Sequence, residues 1–110
     1  MNIETRKEIA NRNIETGYYL HKLRLKIRYT LAESARKIDI SPTYLSDIEH
    51  GRKLPSDSTI RKLAELYDID EIDLFNMFGK ISLTVLEVLR NDLRLQREIY
   101  NMMKDGKIGR

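Results

Sequence analysis

The side chains in this sequence that could do chemistry are hydroxyls, carboxylates and cations. They are densest in residues 29–55, YTLAESARKIDISPTYLSDIEHGRKLP. There Thr43, Tyr44 and Asp47 cluster behind a Ser41-Pro42 pair, and Arg52 and Lys53 follow Gly51. Hydrogen-bonding groups and charges of this kind recognise a partner; they do not break bonds. The 17 Asp and Glu residues converge on no nucleophile, no glycine-rich phosphate loop occurs, and no metal-ligand spacing is present. Cysteine is absent, which excludes disulfides, thiolate zinc sites and a catalytic thiol. Two histidines, His21 and His50, are too few for a histidine-rich metal site. His50 precedes Gly51 at a helix C-terminus, where a cation meets the helix dipole favourably, and both histidines are read as structural. The expectation is a protein that is not an enzyme, with no cofactor and no metal.

Helices must position these groups. Only five Gly and two Pro occur in 110 residues, and they fall where helices start or stop. Apolar spacing of i, i+3, i+4 recurs, and strand-type alternation does not, so the chain reads as all-α. The first helix ends near Arg28 with Leu20, Leu23 and Ile27 on one face; residues before 17 could be helix or a loose arm. A second covers about 31–37 with Thr30 as N-cap. The third starts at Ser41 as N-cap with Pro42 at N1 and stops at Gly51. A fourth, about 57–67, presents Ile60, Leu63, Ala64 and Tyr67. A fifth, about 70–78, offers Ile72, Phe75 and Phe78. The segment from Ser82 to about Lys104 is long enough for six turns of one helix.

Charge is unevenly spread. The net charge is +3: residues 1–30 carry +4, residues 31–57 carry −1, residues 58–79 carry −3 and residues 80–110 carry +3. Basic ends on a near-neutral chain permit nucleic-acid binding without demanding it. No run approaches 18 apolar residues and Met1 leads a polar, charged segment. The expected setting is therefore the cytoplasm, or the nucleoid when bound to DNA, with no membrane contact.

Two short helices about four residues apart, the second opened by Ser-Pro and continuing as YLSDIEHG before a basic residue and a proline, resemble the lambda-repressor and Cro type of helix-turn-helix family, often called Xre-like regulators. GYYLHKLRLK resembles that family's first helix, and residues 60–74 its fourth and fifth; the likeness spans roughly 17–75. It departs from the pattern at Leu31, where many members carry Gln, at Ser34, and at Asp39 in the turn, where Gly is usual. Asp tolerates a left-handed backbone better than most residues, so the turn survives. The resemblance implies three regions: an N-terminal extension over 1–16, a five-helix DNA-binding domain over 17–79, and a long C-terminal helix within 80–110. It also implies an ion pair between Arg24 of the first helix and Glu49 of the third.

A helix in a major groove needs one side for the core and the other for base edges. With Leu45 and Ile48 on the core side, Thr43, Tyr44 and Asp47 stand where family members read bases. Asp47 could accept from cytosine, repel wrong sites, or be an ordinary solvated residue. Backbone phosphates would meet Thr30 and Ser41 at helix N-termini, together with Arg28, Lys37, Arg52 and Lys53.

The C-terminal segment carries Leu86, Leu89, Leu93, Tyr100 and Met103 at heptad-like spacing, broken at Gln96. A second set, Val85, Val88, Leu95, Ile99 and Met102, widens the stripe. So broad an apolar face packs on its own domain or on a second copy. The second suits paired half-sites, which need a two-fold protein. The expected function is a sequence-specific transcriptional regulator, a repressor acting as a homodimer on an inverted repeat of double-stranded DNA. The alternative is an antitoxin-type or other interaction protein whose last helix holds a protein partner or regulator.

Overall fold

The computed structural model describes residues 5–107. Among them are seven helices: α1 (Arg6–Lys26), α2 (Leu31–Lys37), α3 (Pro42–Glu49), α4 (Asp57–Leu66), α5 (Glu71–Met77), α6 (Leu83–Asn91) and α7 (Leu93–Lys104). The fold is all-α. The remainder of the expected terminal regions, residues 1–4 and 108–110, lies outside the described residues.

Every helix opens the same way. Thr5, Thr30, Ser41, Ser56, Asp70, Ser82 and Asp92 are extended N-caps whose side chains each accept from the backbone N–H three residues on. In α1, Glu8 returns the bond to the Thr5 N–H, completing a capping box.

Closure is nearly as uniform. After α1, α2, α3, α4, α5 and α7 the chain turns through a left-handed residue: Arg28, Asp39, Gly51, Asp68, Gly79 and Gly106 respectively. In each case that residue's N–H and the next one's reach back to two carbonyls of the last turn; Asp39 N bonds Arg36 O at 3.2 Å and Ile40 N bonds Ala35 O at 3.0 Å. These are Schellman motifs. Asp39 thus adopts the left-handed turn in the place where Gly is usual.

The chain falls into two compact units, one ending at Lys80 and the other beginning at Ile81. In the first unit α1 and α2 pack on α3, and α4 packs on α5. They enclose Leu20, Ala35, Ile38, Leu45, Ile48, Ile60, Leu63, Ala64, Tyr67, Leu74, Phe75 and Phe78. Two sequence expectations for this core need correction. Ile27 is the C-cap of α1 and exposed, because the chain leaves the helix axis at Arg28. In α5 Leu74 is buried and Ile72 is exposed. That helix has seven residues, too few for apolar periodicity to fix its inward face.

Residues 6–16 are the first part of α1 and pack within the first unit. Thr16 donates its hydroxyl to the Met77 carbonyl at 2.8 Å, and the α1 backbone at Ile14 lies against Gly51.

In the second unit, the segment read as one long helix is two. Asp92, extended at φ −122° and ψ 93°, ends α6 and caps α7 through its bond from Leu95 N. Gln96, which breaks the apolar repeat, donates its side-chain amide to the α6 carbonyls of Leu89 (2.7 Å) and Arg90 (3.1 Å). A capping Asp and a carbonyl-satisfying Gln give the chain a better end here than continued helix offers. α6 packs on α7, yet neither contains a buried residue.

Candidate nucleic-acid interface

α3 is held from behind. Ser41 accepts from Tyr44 N–H at 3.0 Å, Pro42 occupies the first turn, and Leu45 and Ile48 are fully buried. Behind it runs α1, at a distance set by Gly17. A Cβ on Gly17 would stand 2.3 Å from the Ile48 carbonyl oxygen and 2.7 Å from that of Glu49, so the two backbones touch where a side chain would be.

An ion pair locks the same crossing. Arg24 donates to Glu49 from Nε to Oε2 at 2.7 Å and from Nη2 to Oε1 at 2.9 Å, and from Nη1 to the Tyr29 carbonyl at 2.9 Å. His21 Nδ1 lies 2.8 Å from the same Oε1. The Glu49 side chain is 2 % exposed. Burial works to raise its pKa, but the hydrogen bonds from Arg24 and His21 and their charges outweigh burial, and the carboxyl sits below its ordinary range. The bond to Glu49 in turn raises the Arg24 pKa. The pair and Tyr29 together tie α1, α3 and the turn before α2.

On the outer face Thr43 is exposed, one turn ahead of Asp47. Tyr44 is half-buried against the core, and its hydroxyl accepts from the Ser56 N–H at 3.1 Å, pinning the loop that leads into α4. Asp47 is engaged within the chain: Oδ1 accepts from Arg52 Nε at 2.8 Å and Oδ2 lies 3.4 Å from Lys53 Nζ. The bond from Arg52 chiefly, with Lys53 beside it, holds the Asp47 carboxyl below the usual carboxylate range.

Of the residues expected at phosphates, Thr30 and Ser41 spend their side-chain oxygens as N-caps. What each leaves toward the surface is the helix N-terminus that it opens. Arg28 is the exposed left-handed residue after α1, and Lys37 lies over the neighbouring Tyr29 ring at 5.1 Å from its centroid. Arg52 and Lys53 are exposed beside Asp47. The structure thus brings Asp47, Arg52 and Lys53 together, and sets Arg28 and Lys37 around Tyr29.

The partners of two residues lay outside the sequence reading, which took His21 as structural without naming what it touches. His21 stands three residues before Arg24, and that spacing places both on one helix face. Lys80 pairs with Asp57 at 2.6 Å and donates to the Pro55 carbonyl at 3.3 Å, from 25 residues away, beyond the reach of any local pattern. Among the described residues no three His, Cys, Asp or Glu side chains gather as for a metal, and no helix is long and apolar enough to cross a membrane.

The second unit presents the other candidate surface. Leu93, Tyr100 and Met103 are exposed, as is Leu86. A cleft of about 320 Å³ is lined by Leu89, Gln96, Ile99, Tyr100 and Met103. Apart from the Tyr100 hydroxyl, the one polar side-chain group among them is the Gln96 amide, and it is spent on α6.

Two comparisons bear on this arrangement. A family model described as helix-turn-helix matches residues 20–74, half of the chain. A 38-residue stretch is 50% identical to the ImmF control region 10 kDa protein of Bacillus phage phi105. That stretch covers 34% of this chain and 42% of the relative, so the chain spans less than half the length of the curated protein it matches.

Proposed function

This chain belongs to the helix-turn-helix family of the lambda-repressor and Cro type, and on that footing we propose that it is a sequence-specific repressor binding an inverted-repeat operator as a homodimer. Membership supports a DNA-binding transcriptional regulator. The finer reading is carried by one observation: α3 is anchored by Leu45, Ile48 and Glu49 on its inner side while Thr43 faces outward with the Asp47–Arg52–Lys53 cluster. A helix so held can enter a major groove without moving its supports. In this reading the N-termini opened by Thr30 and Ser41, together with Arg28, Lys37 and Lys53, meet phosphates on either side.

The dimer is supported by the second unit. Two helices of nine and 12 residues without a buried side chain cannot hold themselves by a core of their own. A second copy laid on Leu86, Leu89, Leu93, Tyr100 and Met103 would cover them. Repression follows mechanically where such an operator overlaps a promoter, and the relative's assignment to a phage control region accords with a regulatory role.

Selection from randomised duplexes at near-physiological salt tests the reading. The expected winner is two-fold symmetric, with half-sites about one helical turn apart. A steep salt dependence with no sequence enriched would reduce the protein to generic phosphate attraction and reject the proposal.

A further inference from the structure

We propose that Arg52 is a guanine-reading side chain and that Asp47 is the residue that positions it. The inference rests on the DNA-binding reading above and deepens it.

The backbone makes the first half of the argument. With Gly51 left-handed at φ 72°, its N–H bonds Ile48 O at 3.1 Å and the Arg52 N–H bonds Asp47 O at 2.8 Å. The chain therefore doubles back over the last turn of α3, and residue 52 returns beside residue 47. The side chains close the same ring, Asp47 Oδ1 to Arg52 Nε at 2.8 Å. Asp47 is thus joined to Arg52 at both the main chain and the side chain, with the carboxylate 17 % exposed beneath a guanidinium 56 % exposed.

Charge makes the second half. A carboxylate on a surface that approaches a polyanion weakens binding, and this one also draws on Lys53 at 3.4 Å. An arginine meant only for phosphate loses attraction to such a neighbour. Pairing cancels much of the charge on which phosphate attraction depends and leaves the fork of donors, which neutral base acceptors can still use. The pairing uses Nε, on the stem side of the guanidinium, and leaves the two Nη groups as a fork of donors. That fork matches two neutral acceptors side by side, the O6 and N7 atoms of guanine. Fixing the fork beforehand also lowers the rotamer entropy lost on contact. Thr43, one turn away on the same face of α3, would then read the neighbouring base.

The test takes the duplex enriched by the unaltered protein, with variants in which each base pair is changed in turn, and titrates them at several salt concentrations. Arg52→Ala is expected to become indifferent to one G·C pair in each half-site. It should lose about tenfold to a hundredfold on the enriched duplex while its salt slope is unchanged. Arg52→Lys should not restore the preference. Asp47→Ala should blunt the preference for that guanine and steepen the salt slope by about one, as the freed cations turn to phosphate.

A uniform loss across all duplexes for Arg52→Ala, with the slope reduced by about one, would make Arg52 a phosphate contact and overturn the proposal. So would a base preference that disappears in Asp47→Ala but survives in Arg52→Ala. If the unaltered protein enriches no sequence at all, the DNA reading itself falls and this inference falls with it. A site enriched by the unaltered protein keeps that reading whatever the variants do.

Discussion

Glu49 is charged, nearly sealed from water, and supported by two side chains of a different helix. Such a pair adds little over a well-packed apolar substitute, but losing one member strands the other. Arg24→Ala is therefore expected to cost about 3–5 kcal/mol of stability at neutral pH, read as a lower thermal midpoint. The pH dependence has a definite sign. In the intact protein the carboxyl is held below its ordinary range, so its stabilisation is full above the unfolded value near ~4.3 and lost as the pH falls through the folded value. Without Arg24, burial dominates and pushes the carboxyl upward, so acid relieves the variant by protonating a stranded charge. The gap between the two proteins should narrow below about pH 5. Equal melts at pH 7, or a gap constant down to pH 3, would contradict this account. At this scale the sequence is legible where neighbours are helical: Leu45 and Ile48 inward, Thr43 outward. It is opaque where a turn brings residues together, as Gly51 brings Arg52 to Asp47 five positions away, a spacing that no helix face contains.

At the scale of elements, starts were more legible than ends. Ser41-Pro42 and Thr30 announce their helices, because a cap is chemistry carried by one side chain. Ends depend on backbone conformation, and only Gly advertises it. Gly51, Gly79 and Gly106 mark three of the left-handed closures, and Asp39 is readable from its type. Asp68 carries the same hint, which the sequence reading passes over, whereas Arg28 adopts the conformation with nothing in its type to announce it. Asp68 is exposed, and its left-handed backbone carries a steric cost that Gly does not. Asp68→Gly is expected to stabilise the first unit by about 0.5–1 kcal/mol, several degrees in thermal midpoint for a unit of this size. A lower midpoint would show that the Asp side chain supplies more than the strain removes. The split between α6 and α7 was hidden for another reason. Apolar residues recur on both sides of the break. The interruption rests on Asp92, an ordinary surface position on a continuous helix, and on Gln96, which the sequence shows as a gap in the apolar repeat but not as a helix stop.

For the molecule as a whole, the two units divide what the sequence revealed. The first, bearing the pattern matched over 20–74, was legible in its helix order and most of its core. The second showed its apolar stripe but not its hairpin, because the covering of such a face is decided by a surface and not by a motif. Light scattering tests the self-association proposed for it. The unaltered protein should show about twice the 13.0 kDa chain mass, and the double variant Leu89→Lys, Leu93→Lys about a single chain mass. A mass unchanged by the substitutions would reject this face as the interface. The repeated closure of the helices bears, finally, on time. In the first unit the connections span four, four, seven and four residues, and each reversal is completed by bonds reaching no more than five positions back. Small helical bundles with short connections fold in microseconds to milliseconds. Ribosomes deliver roughly 5–20 residues per second. Synthesis is then the slow process, and the DNA-binding unit folds almost as soon as α5, which supplies Leu74 and Phe75 to its core, has been delivered.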